Sequence, residues 1–557
     1  MKKQSTLRWI WQVSKKQFII IGLLAVVSGL ISFSFVWFAL LSKQVIDIAT
    51  GVVITGNMWL ESGKLLGVLV LQAALNIVYK NLFVYASGQI EMHIKQTVFE
   101  KLFNKQWHAY SAYHSGDILN RLTSDVSVVI GGAVSLIPQC VSLITRLIAC
   151  LAVMVMIDPM FTAILLAAGL LVMVLSRFYG KKMKAVHREC QQTDGQTRSF
   201  IQECLENWAV IQSFGVIHPI RDRLNGLQQI NFKKKVYRNR ISNLANTAVY
   251  LLFSGFYYIA LAWGAWRLAS GMISFGTLTA FLQIVQQVKT PFQNMSGILP
   301  QYYNMMASAE RLIELEQLPD EARAQDPFDA EQVYSGMSAI SIQNLSFSYD
   351  HEKVLHNANM VIEKGTFIVL SGRSGIGKST LFKLLLGFLE PTEGQITLQI
   401  NNEPITVSAV TRPLFAYVPQ GNLILSGTIR QNIAFCQEEA SDDDIWQAAK
   451  IASISSFIQS LPDGLDTTLG ERGLGLSEGQ IQRLAIARGV LSGSPILLLD
   501  EVTSALDEET EKEILNNLKN LSNKTCLCIT HRPAAFNICD YSIEIRDGQF
   551  VRIDCGC

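Results

Sequence analysis

Charge is what this 557-residue sequence has least of: Asp, Glu, Lys and Arg make up 17% of it, against about 25% in an average soluble protein. Mean hydropathy is correspondingly positive, at +0.25. A disordered chain is excluded, and a fully soluble one is disfavoured. The net charge of +1 offers nucleic acid no electrostatic footprint. Ordered cysteine spacing is also missing. The ten cysteines are scattered, without the rhythm of a secreted disulfide scaffold. Cys555 and Cys557 at the end of the chain read as a frayed terminus with reduced thiols, the other reading being a soft-metal site.

The small net charge is a cancellation. Through Glu310 there are 28 basic and 13 acidic residues, a net of +15; from Arg311 onward there are 19 and 33, a net of −14. Opposite charge and different texture point to two domains in different solvents. The expected boundaries are a membrane domain over 1–316, a linker over 317–337 and a soluble domain over 338–557.

Six apolar stretches in the first half suit a hydrocarbon core about 30 Å thick. They cover about 18–41, 65–86, part of 128–157, 160–175, 245–266 and 273–288, the third and fourth being joined by a tight turn at Asp158-Pro159. The first is too long for a signal peptide and is read as a retained span. Lys and Arg concentrate in the N-terminal arm and in the fourth-to-fifth connection. The positive-inside rule then places both termini in the cytoplasm, as a multi-pass protein of the cell (plasma or inner) membrane. The connections 87–127 and 176–243 carry few Gly or Pro, which suggests helices continuing beyond the membrane. Reversals are expected at 108–116 and 207–215, and these tips are candidate docking points for the soluble half.

Polar residues at membrane depth mark candidate function. Arg146 falls near the middle of the third span. In the sixth, Gln283, Gln286, Gln287, Thr290, Gln293, Asn294, Gln301 and Asn304 recur at helical spacing, with Lys289 beside them. Such a stripe either lines a water-filled pathway, the favoured reading, or holds helices together through amides. Arg146, Lys289 and Lys80 would favour an anionic cargo in such a pathway.

In the second half, an apolar strand over 367–370 precedes Gly372-Arg373-Ser374-Gly375-Ile376-Gly377-Lys378-Ser379-Thr380, followed by a helical run over 381–389. This is the phosphate-binding pattern GxxxxGK[ST] in its required strand–loop–helix setting. Glycines let backbone N–H groups converge on phosphates at a helix N-terminus. Lys378 suits the outer phosphates, and Ser379 suits Mg2+. A second apolar strand, 496–499, delivers Asp500 and Glu501 at its tip. The first suits the metal, and the second suits polarising an attacking water.

The residues in between carry a resemblance. Leu476-Ser477-Glu478-Gly479-Gln480, followed by Ile481-Gln-Arg-Leu-Ala-Ile-Ala-Arg488, is similar to the signature of ATP-binding cassette (ABC) proteins. Tyr349 resembles the adenine-stacking aromatic, Gln420 the Q-loop residue, Ser504–Asp507 the D-loop and His531 the switch histidine. Gly470-Glu-Arg-Gly473 resembles the exporter-type X-loop, and 116–123 and 307–312 resemble recurring membrane-domain segments. The resemblance spans the whole chain, which is identified as a half-transporter with exporter architecture: a helical polytopic membrane domain plus an α/β P-loop ATPase.

What the resemblance implies is a dimer, a homodimer being favoured over a heterodimer, that sandwiches two ATP with Mg2+. The phosphate loop of one chain would face Ser477, Gly479 and Gln480 of the other. Gln420, Glu501 and His531 would serve the reaction; Ser379, Gln420 and Asp500 would hold the metal. Glu478 departs from the common LSGGQ, either with its carboxylate turned away or weakening one site. The expected function is ATP-driven export of an amphipathic compound: lipid, drug, peptide or similar. The alternatives are import of a metal chelate and an ATP-gated channel.

Overall fold

The computed structural model describes residues 6–554 except 55, 114, 322–327, 350–351, 401–402, 422–423, 471–472, 474 and 522. It does not describe the side chains of 115, 165, 167–182, 184, 187–188, 245–246, 249, 289–296, 299 and 554. Cys555, Cys557 and the middle of the X-loop-like segment therefore lie outside the described residues. So do the side chains of Lys289, Thr290, Gln293 and Asn294.

The chain divides into two compact units, Met1–Glu100 with Ser115–Glu316, and Lys101–His114 with Gln317–Cys557.

The first unit is all helix. Its elements are α1 (Thr6–Ser14), α2 (Phe18–Ala49), α3 (Met58–Leu102), α5 (Ser115–Asn120), a π-helical turn at Arg121–Asp125, α6 (Val126–Ile157), α7 (Pro159–Glu206), α8 (Trp208–Ser213), α9 (Ile217–Ala269) and α10 (Phe275–Glu316). Among the described residues, three helical stretches are long and apolar enough to cross a membrane: Thr6–Ala49, Met58–Leu102 and Gly116–Ile157. The remaining predicted spans fall on the long helices α7, α9 and α10. Asp158 caps α7 by accepting from the backbone N–H of Phe161, with Pro159 in the first turn where a missing N–H does no harm. The reversal expected near 207–215 is the short helix α8, closed by Gly215 at φ +64°.

Side chains from α2, α6 and α10 build most of two buried clusters. One gathers Trp9, Leu24, Ile90, Ile94, Val129 and Leu312. The other gathers Val36, Met154, Phe161, Phe281 and Ile284.

The second unit begins with α4 (Trp107–Ser111), at the other expected reversal. Its strands are β1 (Met337–Tyr349), β2 (Glu352–Glu363), β3 (Phe367–Ser371), β4 (Glu393–Ile400), β5 (Glu403–Thr406), β6 (Phe415–Val418), β7 (Gly427–Thr428), β8 (Thr468–Leu469), β9 (Ile496–Asp500), β10 (Thr525–Ile529), β11 (Tyr541–Arg546) and β12 (Gln549–Asp554). Among its helices are α11 (Ala330–Gly336), α12 (Lys378–Leu385), α13 (Ile429–Ile433), α14 (Asp442–Ile451), α15 (Ser455–Ser460), α16 (Glu478–Leu491) and α17 (Glu508–Lys519). One sheet is ordered β12-β11-β3-β10-β9-β6, and a smaller one β2-β1-β4-β5. In the larger sheet β3, β6, β9, β10 and β11 run parallel, and β12 returns antiparallel. The apolar strands β3, β9 and β10 are buried along almost their whole length, as strands covered on both faces must be.

The stretch 317–337, expected as a linker, holds more structure than that. Tyr334 of α11 is buried, and its hydroxyl lies 2.9 Å from Thr525 Oγ1. Upstream, Lys105 pairs with Asp320 at 2.6 Å, and Gln106 N–H donates to Pro319 O. A polar, Pro-bearing stretch resembles a linker in composition even when single buried anchors tie it down.

Candidate functional site

Four strand ends converge in the larger sheet. Because β3, β10, β9 and β6 are consecutive neighbours and parallel, the segments after them emerge at the same edge. Those segments are the glycine loop, His531, Glu501 and Gln420, with Asp500 as the last residue of β9. Open α/β sheets bind ligands at this carboxyl edge.

The loop from Gly372 to Gly377 turns through left-handed backbone at Gly372, Gly375 and Gly377, with φ of 142°, 80° and 110°. A Cβ on Gly377 would also lie 2.4 Å from Val354 Cγ1. Only glycine fits there, which leaves the backbone N–H groups at the start of α12 accessible to an anion.

Lys378 is 6% exposed. Its ammonium donates to the carbonyls of Gly372 at 2.7 Å and Arg373 at 3.2 Å, and meets His531 Nε2 at 3.0 Å. An ammonium has no lone pair, so the imidazole accepts and carries its proton on Nδ1. Burial lowers the Lys378 pKa, while the nearby Glu501 and Asp500 work in the opposite sense.

Asp500 is 3% exposed. Burial raises its pKa, and a hydrogen bond from Ser379 opposes the rise. The Tyr417 hydroxyl reaches its Oδ2 at 3.4 Å. Glu501 adopts φ +50°, uncommon for a residue with a side chain, and its N–H donates to Ile529 O at 3.0 Å. Gln420 Nε2 donates to Glu501 Oε2 at 2.7 Å. That orientation leaves the Gln420 amide oxygen available. With the Ser379 hydroxyl and the Asp500 carboxylate it forms the hard, all-oxygen donor set that suits Mg2+.

The signature-like residues form a second cluster. Ser477 and Gln480 cap α16 reciprocally, Ser477 N–H donating to Gln480 Oε1 at 2.8 Å and Ser477 Oγ accepting from Gln480 N–H. A Cβ on Gly479 would stand 3.1 Å from Ala505 O, so α16 lies tight against 504–506. Gln482 holds the same segment from the helix side, its Nε2 donating to Ser504 Oγ. Arg532, next to His531, donates to the carbonyls of Ser504 and Leu506.

Tyr349 closes β1 with its ring 4.9 Å from that of Phe347, edge to face. Sequence reasoning passed over Tyr417 and Arg532, although each neighbours a residue it singled out (Gln420 and His531). It also missed Trp107. That ring lies tilted against Phe388 with centroids 5.8 Å apart, and the Lys383 ammonium is 4.9 Å away; Arg412 covers Phe388 and pairs with Glu321.

In the membrane unit the polar stripe of α10 is partly consumed by helix contacts. Gln287 Nε2 donates to Phe35 O at 2.9 Å, and Gln301 Nε2 donates to Ser135 Oγ at 2.7 Å. Gln283 is half-buried and Gln286 exposed. Arg146 lies over the Phe35 ring at 4.8 Å. At Gln287 and Gln301 the amide-contact alternative describes what the side chains do.

Comparison with known proteins agrees with this architecture. Residues 18–292 match the ABC transporter transmembrane region, and residues 355–504 match the ABC transporter ATPase family model. An uncharacterized ABC transporter ATP-binding protein, YwjA, of Bacillus subtilis (strain 168) is 31% identical over 82% of this chain and 79% of its own. A probable ABC transporter ATP-binding/permease protein of Haemophilus influenzae is 31% identical over 82% and 81%. An ATP-dependent lipid A-core flippase of Pasteurella multocida is 29% identical over 86% and 83%. The solved structure of a bacterial Atm1-family ABC exporter with ATP bound superposes with a TM-score of 0.79 at 22% identity, covering 97% of this chain and 95% of that one. The chain belongs to the ABC transporters, as an exporter-type half-transporter that joins a helical membrane region to an ATP-hydrolysing domain in one polypeptide.

Proposed function

We propose that this protein is a homodimeric pump of the cell membrane, with its ATPase in the cytoplasm, that uses ATP to export an amphipathic compound. The observation that carries this is the gathering of the glycine loop, Asp500, Glu501, Gln420 and His531 at one sheet edge, in the same chain as the long apolar helices. Relatives named lipid A-core flippases support an amphipathic cargo.

Gly372 to Thr380 cradle the phosphates of ATP. Lys378 exchanges its bonds to Gly372 O, Arg373 O and His531 for phosphate oxygens, and Tyr349 stacks on the base. Ser379, Asp500 and the Gln420 amide oxygen would hold Mg2+, which would supply neutralisation of phosphate charge. Glu501, oriented by its αL backbone and by Gln420, takes the proton of the attacking water. His531, once released by Lys378, donates from Nε2 or accepts there according to its tautomer.

Ser477, Gly479 and Gln480 complete the site from the second copy. Ser477 Oγ accepts within its own cap and keeps its proton free for a phosphate oxygen. Closure is driven because these contacts exist only in the closed dimer, and hydrolysis removes them. The path from α16 through 504–506 to Arg532 links the signature of each chain to its own His531. The exposed apolar side chains at the α8 tip, Trp208, Val210 and Phe214, would dock on the ATPase domain of the second copy.

Inside-out vesicles test the pump. A fluorescent amphiphile accumulates only with ATP and Mg2+, and Glu501→Gln abolishes accumulation. Undiminished flux in Glu501→Gln would make the protein an ATP-gated channel instead.

A further inference from the structure

The membrane unit holds cations at depth without carboxylates to match them. No Asp or Glu occurs in residues 126–157, 159–188 or 223–309, nor in 1–46 or 62–90. Arg146 is eleven residues before Ile157, the last residue of α6, or about 16 Å at 1.5 Å per residue. A cation at such depth pairs with an acid, reaches an interface or serves a pathway. Here the sequence supplies no acid at that depth.

Arg146 Nε and Gln287 Oε1 are among the buried side-chain atoms of the described residues that have no hydrogen-bond partner. Both residues touch Phe35, Arg146 over its ring at 4.8 Å and Gln287 through its carbonyl at 2.9 Å. The polar seam between α2 and α6 leads to the same place. Ser28 donates to Pro138 O at 2.9 Å, and Ser32 meets Ser142 at 2.6 Å. Ser142 is one helical turn before Arg146. Three helices thus bring together an unpaired cationic donor and an unpaired acceptor. Native proteins rarely leave such atoms unsatisfied unless a ligand, water or moving part uses them.

We propose that Arg146 and Gln287 form the head-group site for an anionic amphiphile. Arg146 meets an anionic oxygen, and Gln287 Oε1 accepts from a hydroxyl or ammonium on the same head. The apolar surroundings of α2, α6 and α10 take the tail. The proposal rests on the export reading and narrows its cargo to heads with an acidic oxygen beside a donor.

Binding without nucleotide tests it, by titration calorimetry on the full-length protein in nanodiscs of uncharged lipid. The probes are hexadecyl phosphate, 2-hydroxyhexadecanoate, hexadecanoate and hexadecanol. The wild type should bind the first two at least about tenfold tighter than hexadecanol. Arg146→Gln should erase that preference, and Arg146→Lys should restore most of it. Gln287→Leu should remove the advantage of 2-hydroxyhexadecanoate over hexadecanoate alone. Each preference is a ratio within one variant, so a general loss of folded protein does not mimic it. Arg146→Gln that keeps the anion preference, or weakens all four probes equally, overturns the site. If the preferences hold but vesicles show no ATP-dependent flux, the site stands and the export reading falls. If flux is present and the wild type prefers no anion, the export reading stands and the site falls.

Discussion

Asp500 is a carboxylate that the fold keeps out of water, with the neutral Ser379 and Tyr417 as hydrogen-bond partners among the described residues. Its pKa in the folded protein is raised, chiefly by burial. Above that pKa it is ionised in both folded and unfolded states, and the full desolvation penalty acts against folding. The penalty fades as pH falls through the folded pKa. Asp500→Asn should therefore raise the unfolding temperature of the nucleotide-free protein at neutral pH, while ATPase activity falls by at least about 10²-fold. Calorimetry and phosphate release check the pair; a lower unfolding temperature would contradict the burial argument. The strained backbone of Glu501 fits the same picture of stability given up at a working site. The sequence announced both carboxylates through the strand that delivers them. It could not announce φ +50° at Glu501 or the tautomer of His531, because these depend on Ile529 and Lys378, which are remote in sequence and brought close by the sheet.

At the scale of elements, α4 is the instructive case. Its residues read as a reversal between long helices, and that is where the chain turns. Its place in the same compact unit as the ATPase was not legible, because Trp107 meets Phe388 and Lys383 across about 280 residues of sequence. Aromatic pairs of this kind contribute about 0.5–1.5 kcal/mol beyond their buried area. Residues 103–106 alone separate α3 from α4 in sequence, so in the proposed pump this ring would couple a spanning helix to ATP hydrolysis. Trp107→Ala should lower cargo-stimulated ATPase several-fold while leaving the unstimulated rate within about twofold. An unchanged stimulation ratio would show that the ring transmits nothing. The α10 stripe gives the opposite lesson. Its period was plain, yet period alone cannot distinguish an amide facing water from one spent on a neighbour; Gln287 and Gln301 are spent, at least through their amide nitrogens. Likewise α11 hid in a polar stretch because one buried tyrosine is enough to anchor it.

For the whole molecule, a net charge of +1 divides into +15 and −14 along nearly the line where the two compact units part. The membrane unit's positive charge, concentrated in the segments expected to be cytoplasmic, is the basis of the proposed orientation. The ATPase unit holds a glycine loop and a signature cap, each finished within one chain but neither sufficient to enclose a nucleotide in the proposed cycle. The central claim is that each ATP is held by the loop of one copy and the signature of another. Two variants separate this from a site made within one chain: Lys378→Ala, which disables the loop, and Ser477→Arg, which blocks the signature. Each homodimer should occlude no ATP. A mixed dimer, purified through two different tags, places both defects in one composite site and leaves the other intact. Counting occluded nucleotide in that mixed dimer, in nanodiscs with ATP and Mg2+, should give one per dimer; none would contradict the composite site.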